Sequence, residues 1–357
     1  MFPQTRDVEL RNAWLARLVA LSDRLRDATV AARAKARASG ELESLAREAA
    51  QGAGDVTFGI DVPAEHELTR WLEETAREAP LSLLSEETGW RHMGPGARGK
   101  AHELPGFDHG GPRIVVDPID GTRNLMTDLR SAWTAIAWCA RGTSEPRLTE
   151  VELGVLSEIP DSRAELFRRL SAARGGRCRV EVRELPGAQI EELALSETLI
   201  EDHALDTGRD DRVDHGYFPF FRYLPDMRPE IARIEAAFFE RLAAEERADV
   251  RSCWDDQYLS NAGQLALLAL GKYRMIADLR AHLAARRGRT TLTTKPYDIA
   301  GAVVCARAAG CVITAPDGSA LDFPLDVETP VSFVGWVNRA TEKRCAGHLA
   351  AALEIAR

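Results

Sequence analysis

A layered α/β protein in two units is what this chain predicts, and three observations carry that reading. Segments with apolar residues at helical spacing alternate with short β-branched runs along the chain. One such run, Ile114-Val115-Val116, ends at once in two carboxylates, Asp117 and Asp120, as expected of a site built at the end of a buried strand. The chain has 357 residues, 45% of them hydrophobic, which is more than a single compact core usually takes.

The elements follow in order. Trp14, Leu18, Leu21 and Leu25 recur at helical spacing, and Ala-, Arg- and Glu-rich sequence extends this first helix to residue 50, where 51–54 breaks it. Pro63 opens a second helix with Leu68, Trp71 and Leu72 on one face, and Pro80 ends it before a strand from Leu81. Frequent Gly and Pro over 90–113, with Arg91, His92, His102 and His109, read as a loop near the site entrance. Segments 131–140 and 151–159 read as neighbouring strands, and Cys178, Val180 and Val182 alternating with Arg179, Glu181 and Arg183 as an edge strand. Residues 185–188 mark the expected boundary, giving units 1–188 and 189–357. The second unit opens with an insertion over 201–255, holding an aromatic cluster from Tyr217 to Tyr223 and an amphipathic helix through Ile231, Ile234, Ala237 and Phe238. It reads as core and dimer packing, or as a lid that selects substrate. Ser260 caps a helix that Gly271 stops, 276–279 is a strand, and a helix begins after Pro296. Strands at 311–314 and 331–336 and a helix opened by Asn338 close the chain.

The chemistry concentrates around Asp117. Pro118 lacks an N–H and has a fixed φ, so the chain turns between the two carboxylates, and Gly121 lets the backbone approach a bound group. The N–H groups of Gly121 and Thr122 would point with the carboxylates, which suits a phosphate bridged to the protein by metal. A net charge of -9 argues against a nucleic-acid polymer as partner, and the arginines over 24–37, interspersed with Ala, Asp and Leu, read as a solvated helix face. No apolar run is long enough for a membrane span and the N-terminus lacks a secretory pattern, so a cytoplasmic protein is expected. The six cysteines have no paired spacing, which predicts buried thiols in place of zinc ligands or disulfides.

Residues 114–124, Ile-Val-Val-Asp-Pro-Ile-Asp-Gly-Thr-Arg-Asn, resemble the D-P-[IL]-D-G-T-x-N signature of the inositol monophosphatase family, Mg2+-dependent, lithium-sensitive phosphatases related to fructose-1,6-bisphosphatase. Other stretches follow in that family's order. Leu81-Ser-Leu-Leu-Ser-Glu-Glu-Thr-Gly89 is similar to its strand ending in [GS]-E-E, with Glu86 at the metal-ligand position. Asp55-Val-Thr-Phe-Gly-Ile-Asp61 is similar to D-x-x-T-x-x-D, with Thr57 displaced by one position. Lys295-Pro-Tyr-Asp-Ile-Ala-Gly-Ala302 resembles W-D-x-A-A/G, with Asp298 as the late ligand and Tyr297 in place of Trp. The resemblance runs from residue 10 to the C-terminus and is weak only in the middle. It implies a carbohydrate-phosphatase fold of alternating α/β/α/β/α layers and a phosphomonoesterase acting on a small polyol, sugar or inositol phosphate.

By that resemblance Glu86, Asp117 and the Ile119 carbonyl hold one Mg2+, and Asp117, Asp120 and Asp298 a second; a third ion and inhibition by Li+ stay open. Mg2+ prefers octahedral oxygen ligands, and two such ions roughly 3.5 to 4 Å apart neutralise a phosphate while activating a water. Glu86 and Thr122, the latter hydrogen-bonded to Asp61, would orient that water, Gly121 and Thr122 would receive the phosphate, and no covalent phosphoenzyme forms. The departures fall on the substrate pocket: Asn261-Ala-Gly-Gln264 replaces G-S-A-A, Leu125-Met126 replaces an aromatic segment, and Arg123 stands where small residues are usual. Arg123 clamps a second anionic group or pairs with Asp128; Gln264 and residues 255–257 bind substrate hydroxyls or serve as caps; Asp278 contacts the leaving group or caps a turn. Two alternatives remain. One is a bisphosphatase of the fructose-1,6-bisphosphate or 3'-phosphoadenosine type, though Asn124 favours the inositol-like branch; the other is a catalytically silent metal- or ligand-binding regulator, against which all four acidic positions stand.

Overall fold

The computed structural model describes residues 3–51, 56–185, 198–208 and 210–355. Along the chain the elements are α1 (Pro3–Ser39), β1 (Glu48–Gln51), β2 (Val56–Phe58), α2 (Val62–Glu78), β3 (Leu81–Ser85), β4 (Gly89–Pro95), β5 (Ala101–Glu103), β6 (Arg113–Asp120), α3 (Thr122–Met126), β7 (Ala132–Cys139), β8 (Val151–Ile159), β9 (Leu166–Ala173), β10 (Arg179–Glu184) and β11 (Thr198–Ala204). After these come β12 (Gly216–Tyr217), α4 (Arg228–Glu245), β13 (Cys253–Trp254), α5 (Asn261–Ala269), β14 (Met275–Asp278), α6 (Arg280–Arg286), α7 (Pro296–Ala308), β15 (Val312–Thr314), β16 (Phe333–Trp336) and α8 (Arg339–Ile355).

Among the described residues the large sheet has nine strands in the order β11-β10-β9-β8-β7-β6-β3-β4-β5, and a smaller one has the order β14-β16-β15. All neighbours in the large sheet are antiparallel except β3 and β6, so the C-terminal ends of these two buried strands point the same way. Alternate side chains of the central strands feed opposite cores. Ile114, Val116, Ile136 and Trp138 join Leu18, Leu21, Leu68 and Leu72 of α1 and α2, whereas Val115, Ala135 and Ala137 join Leu265, Val303 and Val304 of α5 and α7. The other face of the small sheet, with Met275, Ala277, Val334 and Trp336, packs on Phe238 of α4 and Leu349 of α8. Five layers result, α/β/α/β/α.

Two expectations about the elements are corrected. The first helix stops at Ser39 because Gly40 takes a left-handed φ of 72° and Glu41 N–H returns to Ala36 O at 2.8 Å, and a short helix and β1 fill the stretch to Gln51. Segment 90–113 is no loop at the site: it forms β4 and β5 at the sheet edge, where His92 Nδ1 and His109 Nε2 each lie 2.7 Å from Ser82 Oγ, at the opposite end of β3 from Glu86. The boundary expected at 185–188 falls mostly outside the described residues, and β11 beyond it still pairs with β10 in the large sheet. The cysteines are free thiols, all buried except the half-buried Cys253.

The insertion is built into the small sheet. Phe221 N–H donates to Ala277 O at 2.9 Å and Ala277 N–H to Pro219 O at 3.0 Å, so the aromatic segment runs beside β14. Phe218 and Phe220 enter the core against Phe238, while Phe221 and Tyr223 reach a cleft between the sheets. The core part of the packing reading is seen in Phe218 and Phe220, and Phe221 and Tyr223 are lining residues of the cleft.

Candidate active site

An i, i+3 pair on a regular strand would face opposite sides, yet Asp117 and Asp120 face the same one. A bulge does this: Asp117 pairs with Ala135 and Asp120 with Trp133, three residues of β6 spanning two of β7. Pro118 sits inside the bulge, where its missing N–H costs no ladder bond, and Thr134 Oγ1 donates to its carbonyl at 2.9 Å. Gly121 then turns with φ 100°; a Cβ there would stand 3.0 Å from Ser260 Cβ and 3.1 Å from Leu259 O. The turn brings Thr122 Oγ1 to 3.0 Å from Asp61 Oδ1 and 2.9 Å from Ile119 O, its one proton serving either.

Three other elements complete the arrangement. Glu86 follows β3 directly, at the strand end next to that of β6. Asp298 lies in the first turn of α7, its Oδ2 accepting Lys295 N–H at 2.9 Å and Asn261 Nδ2–H at 3.2 Å. Ser260 and Ala262, at the start of α5, donate to Asp120 Oδ2, both at 2.6 Å. Asp117 Oδ1 accepts Ile119 N–H at 3.0 Å. Together with Phe58, Asp61, Thr122, Arg123, Phe221, Tyr223, Asn261, Arg280 and Lys295 these carboxylates line a cleft of about 260 Å³.

The electrostatics of the cleft are those of a site short of positive charge. Burial raises Asp117 well above the ordinary carboxylate range, and repulsion from Asp120, Glu86 and Asp298 adds to it. Asp120 and Asp298 are raised as well, by burial first, although each accepts hydrogen bonds that oppose the rise. Burial pushes Asp61 up to about 6 against the hydrogen bonds from Phe58 N–H and Thr122. Among the described residues no three acidic, His or Cys side chains form a closed ligand shell, and the lining contains neither His nor Cys. The donors are hard oxygens whose repulsion a cation would relieve, and that donor chemistry fits a Mg2+-like ion.

Of the residues expected at the site, Asp61, Glu86, Asp117, Ile119, Asp120, Gly121, Thr122, Arg123 and Asp298 are brought together on this cleft. Gln264 and Asp278 are not in its lining. Gln264 is fully buried and donates to Tyr258 O at 2.6 Å, one turn into α5 from the Ser260–Asn261 start that lines the cleft. Asp278 is fully buried in a two-point pair with Arg280. Residues 255–257 are not in the lining and bond to protein: Asp255 pairs with Arg222, Asp256 with Arg130, and Gln257 clasps the backbone of Arg222 and Phe220. Asp128 bonds Ser162 and faces Arg33, while Arg123 lies over the Phe58 ring at 5.8 Å. Arg280 also lines the cleft and was not expected there, whereas Asn261 and the aromatic segment with Phe221 and Tyr223 are candidates for the pocket or its lid on sequence grounds. The Asp-x-Arg spacing at the end of β14 was the available signal for Arg280.

Fold and cleft together define a layered α/β protein with an acidic site at the ends of two parallel strands, of the phosphatase type. A model of the inositol monophosphatase family matches residues 25–354, and the chain belongs to that family. No curated protein matches it. Among solved structures it is similar to the extragenic suppressor protein SuhB from Bartonella henselae, at 18% identity and TM-score 0.58 over 94% of this chain and 98% of that one. It is also similar to fructose-1,6-bisphosphatase of Leishmania major, at 13% identity and TM-score 0.61 over 99% and 96%. A third is staphylococcal IMPase-II with inositol monophosphate bound, at 16% identity and TM-score 0.52 over 95% and 98%.

Proposed function

We propose that the protein is a Mg2+-dependent phosphomonoesterase acting on a small polyol, sugar or inositol phosphate. The observation that carries this is the convergence of Asp117, Asp120 and Asp298, buried and mutually repelling, beside Glu86 and the Asp61–Thr122 pair. Glu86, Asp117, Asp120, Asp298 and the Ile119 carbonyl are the groups that would hold the ions. Bound divalent cations supply charge neutralisation for the phosphate and acidify a water. Asp61 accepts from Thr122 and so frees the threonine oxygen to receive a hydrogen bond from the attacking water, which Glu86 orients from the other side. The N–H groups of Gly121 and Thr122, at the start of a helix and without intrahelical acceptors, would receive the phosphate oxygens. That IMPase-II is seen with inositol monophosphate agrees with a polyol phosphate here.

Phosphate release from a panel of polyol, sugar and nucleotide monophosphates, with Mg2+, with EDTA and with Li+, tests the reading. Mg2+-dependent release from one class is the expected result. A folded protein that binds Mg2+ and releases no phosphate from any member would favour the regulatory alternative.

A further inference from the structure

Arg280 lines the cleft but offers it no hydrogen bond. Its side chain is 2% exposed, and all of its N–H groups point at protein. Nε and Nη2 donate to Asp278 Oδ1 and Oδ2 at 2.9 and 2.6 Å; Nη2 also meets Thr294 Oγ1 at 3.1 Å and Asn261 Oδ1 at 3.5 Å; Nη1 meets Leu292 O at 3.0 Å and Tyr223 Oη at 3.4 Å. Its plane is covered by Phe221 and Tyr223, at 4.4 and 5.3 Å from the ring centroids. An arginine meant to grip a phosphate keeps a two-pronged face open. This one is spent on the fold.

What it controls is the orientation of Asn261. An asparagine amide has an acceptor end and a donor end that can exchange by a half-turn, and its surroundings choose between them. Arg280 takes the oxygen end, so the Nδ2–H end faces Asp298 Oδ2 at 3.2 Å. The opposite orientation would set an oxygen against that carboxylate. Asn261 also stands between Ser260 and Ala262, which hold Asp120. We propose that Arg280, through Asn261, is a positioning residue for Asp298 and Asp120, and that the insertion reaches the cation site by resting the adjacent Phe221 and Tyr223 rings on one side of Arg280. The inference rests on the metal-dependent reading above and adds to it a route by which the aromatic segment shapes cation affinity.

The experiment is calorimetric titration of Mg2+ into the full chain, alongside kcat and KM for the best phosphate ester, for Arg280→Lys, Asn261→Ala and the double variant. Lys keeps the pairing with Asp278 and so the fold, but one ammonium cannot serve Asn261, Leu292 and Tyr223 together. Mg2+ affinity should fall about tenfold, the usual size of an outer-sphere effect on a metal site, with kcat falling at subsaturating Mg2+ and KM for the ester unmoved. The double variant should lose no more affinity than the worse single one, since both act on one contact. Asp278→Asn with Arg280→Met, which removes the ion pair without leaving a buried charge, should reproduce the loss of Mg2+ affinity in protein that circular dichroism shows to be folded. Unchanged Mg2+ affinity in both Arg280 variants, or additive losses in the double variant, overturns the proposal. A wild-type protein that neither binds Mg2+ nor releases phosphate overturns the reading beneath it.

Discussion

Asp117 is the residue on which the site turns, because it feels Asp120, Glu86 and Asp298 at once. Asp117→Asn keeps the volume and the acceptor for Ile119 N–H while removing one of the repelling charges. Turnover should drop by roughly a hundredfold or more, the scale of losing a key electrostatic group. In EDTA the variant should melt no lower than the wild type, because repulsion has been relieved. Retention of full Mg2+-dependent turnover would show that the carboxylates have been assigned wrongly. Glu65 on α2 makes a separate case. Burial and the charges of Glu87 and Asp61 push it up to about 8 from 4.5. The folded state then holds a proton that the unfolded chain has released, so stability is lost as pH rises from 4.5 toward 8. Glu65→Gln should remove that loss: its melting temperature should exceed the wild type's at pH 8, by about 2 °C for each kcal/mol recovered, and match it near pH 4.5. An equal difference at both pH values would place the effect in packing instead of titration.

At the scale of the element, α7 carries Asp298 to the cleft, and its depth is set by glycine. A Cβ on Gly301 would stand 2.1 Å from Ile136 O, and one on Gly154 2.3 Å from Gly301 O, so helix and sheet touch backbone to backbone. Gly301→Ala must push the helix outward from β7. Overpacking of this kind costs about 1–3 kcal/mol, and it also withdraws Asp298. The variant should therefore show a lowered unfolding midpoint in urea together with weakened Mg2+ binding. A midpoint shift with unchanged Mg2+ affinity would mean that Asp298 does not travel with the helix. The sequence announced this element through Pro296, Asp298 and the small residues after it. It also announced β6, whose apolar run and paired aspartates are local signals. The bulge was not legible, since it depends on how β6 lies against β7, and neither was the hairpin over 90–113, whose Gly and Pro residues serve turns between edge strands. The Asp278–Arg280 pair was half legible: the acid was seen, but its partner showed only once β14 and α6 met.

For the whole molecule, the mixture of helices and strands was readable from the alternation of periods and their layering from the family resemblance, whereas the insertion's place was not, because its pairing with β14 is made across more than fifty residues. That assembly drives acids from β3, β6, α2's start and α7 into one cleft, and the consequence is a stability that depends oppositely on protons and on cations. Without a divalent ion the folded state binds protons at Asp61, Asp117, Asp120 and Asp298 more tightly than the unfolded chain, whose aspartates titrate near 3.8. Stability in EDTA should then fall as pH rises through the range from about 4 to 8. A cation binds the deprotonated carboxylates, so the increment it adds should grow over the same range. At a Mg2+ concentration about a hundredfold above its dissociation constant the increment approaches roughly 2.7 kcal/mol, or about 5 °C in a chain of this size. Melting curves at pH 5 and pH 8, with EDTA and with Mg2+, should show the larger Mg2+ increment at pH 8. If the increment is the same at both, the protons and the cation are not competing for Asp117, Asp120 and Asp298.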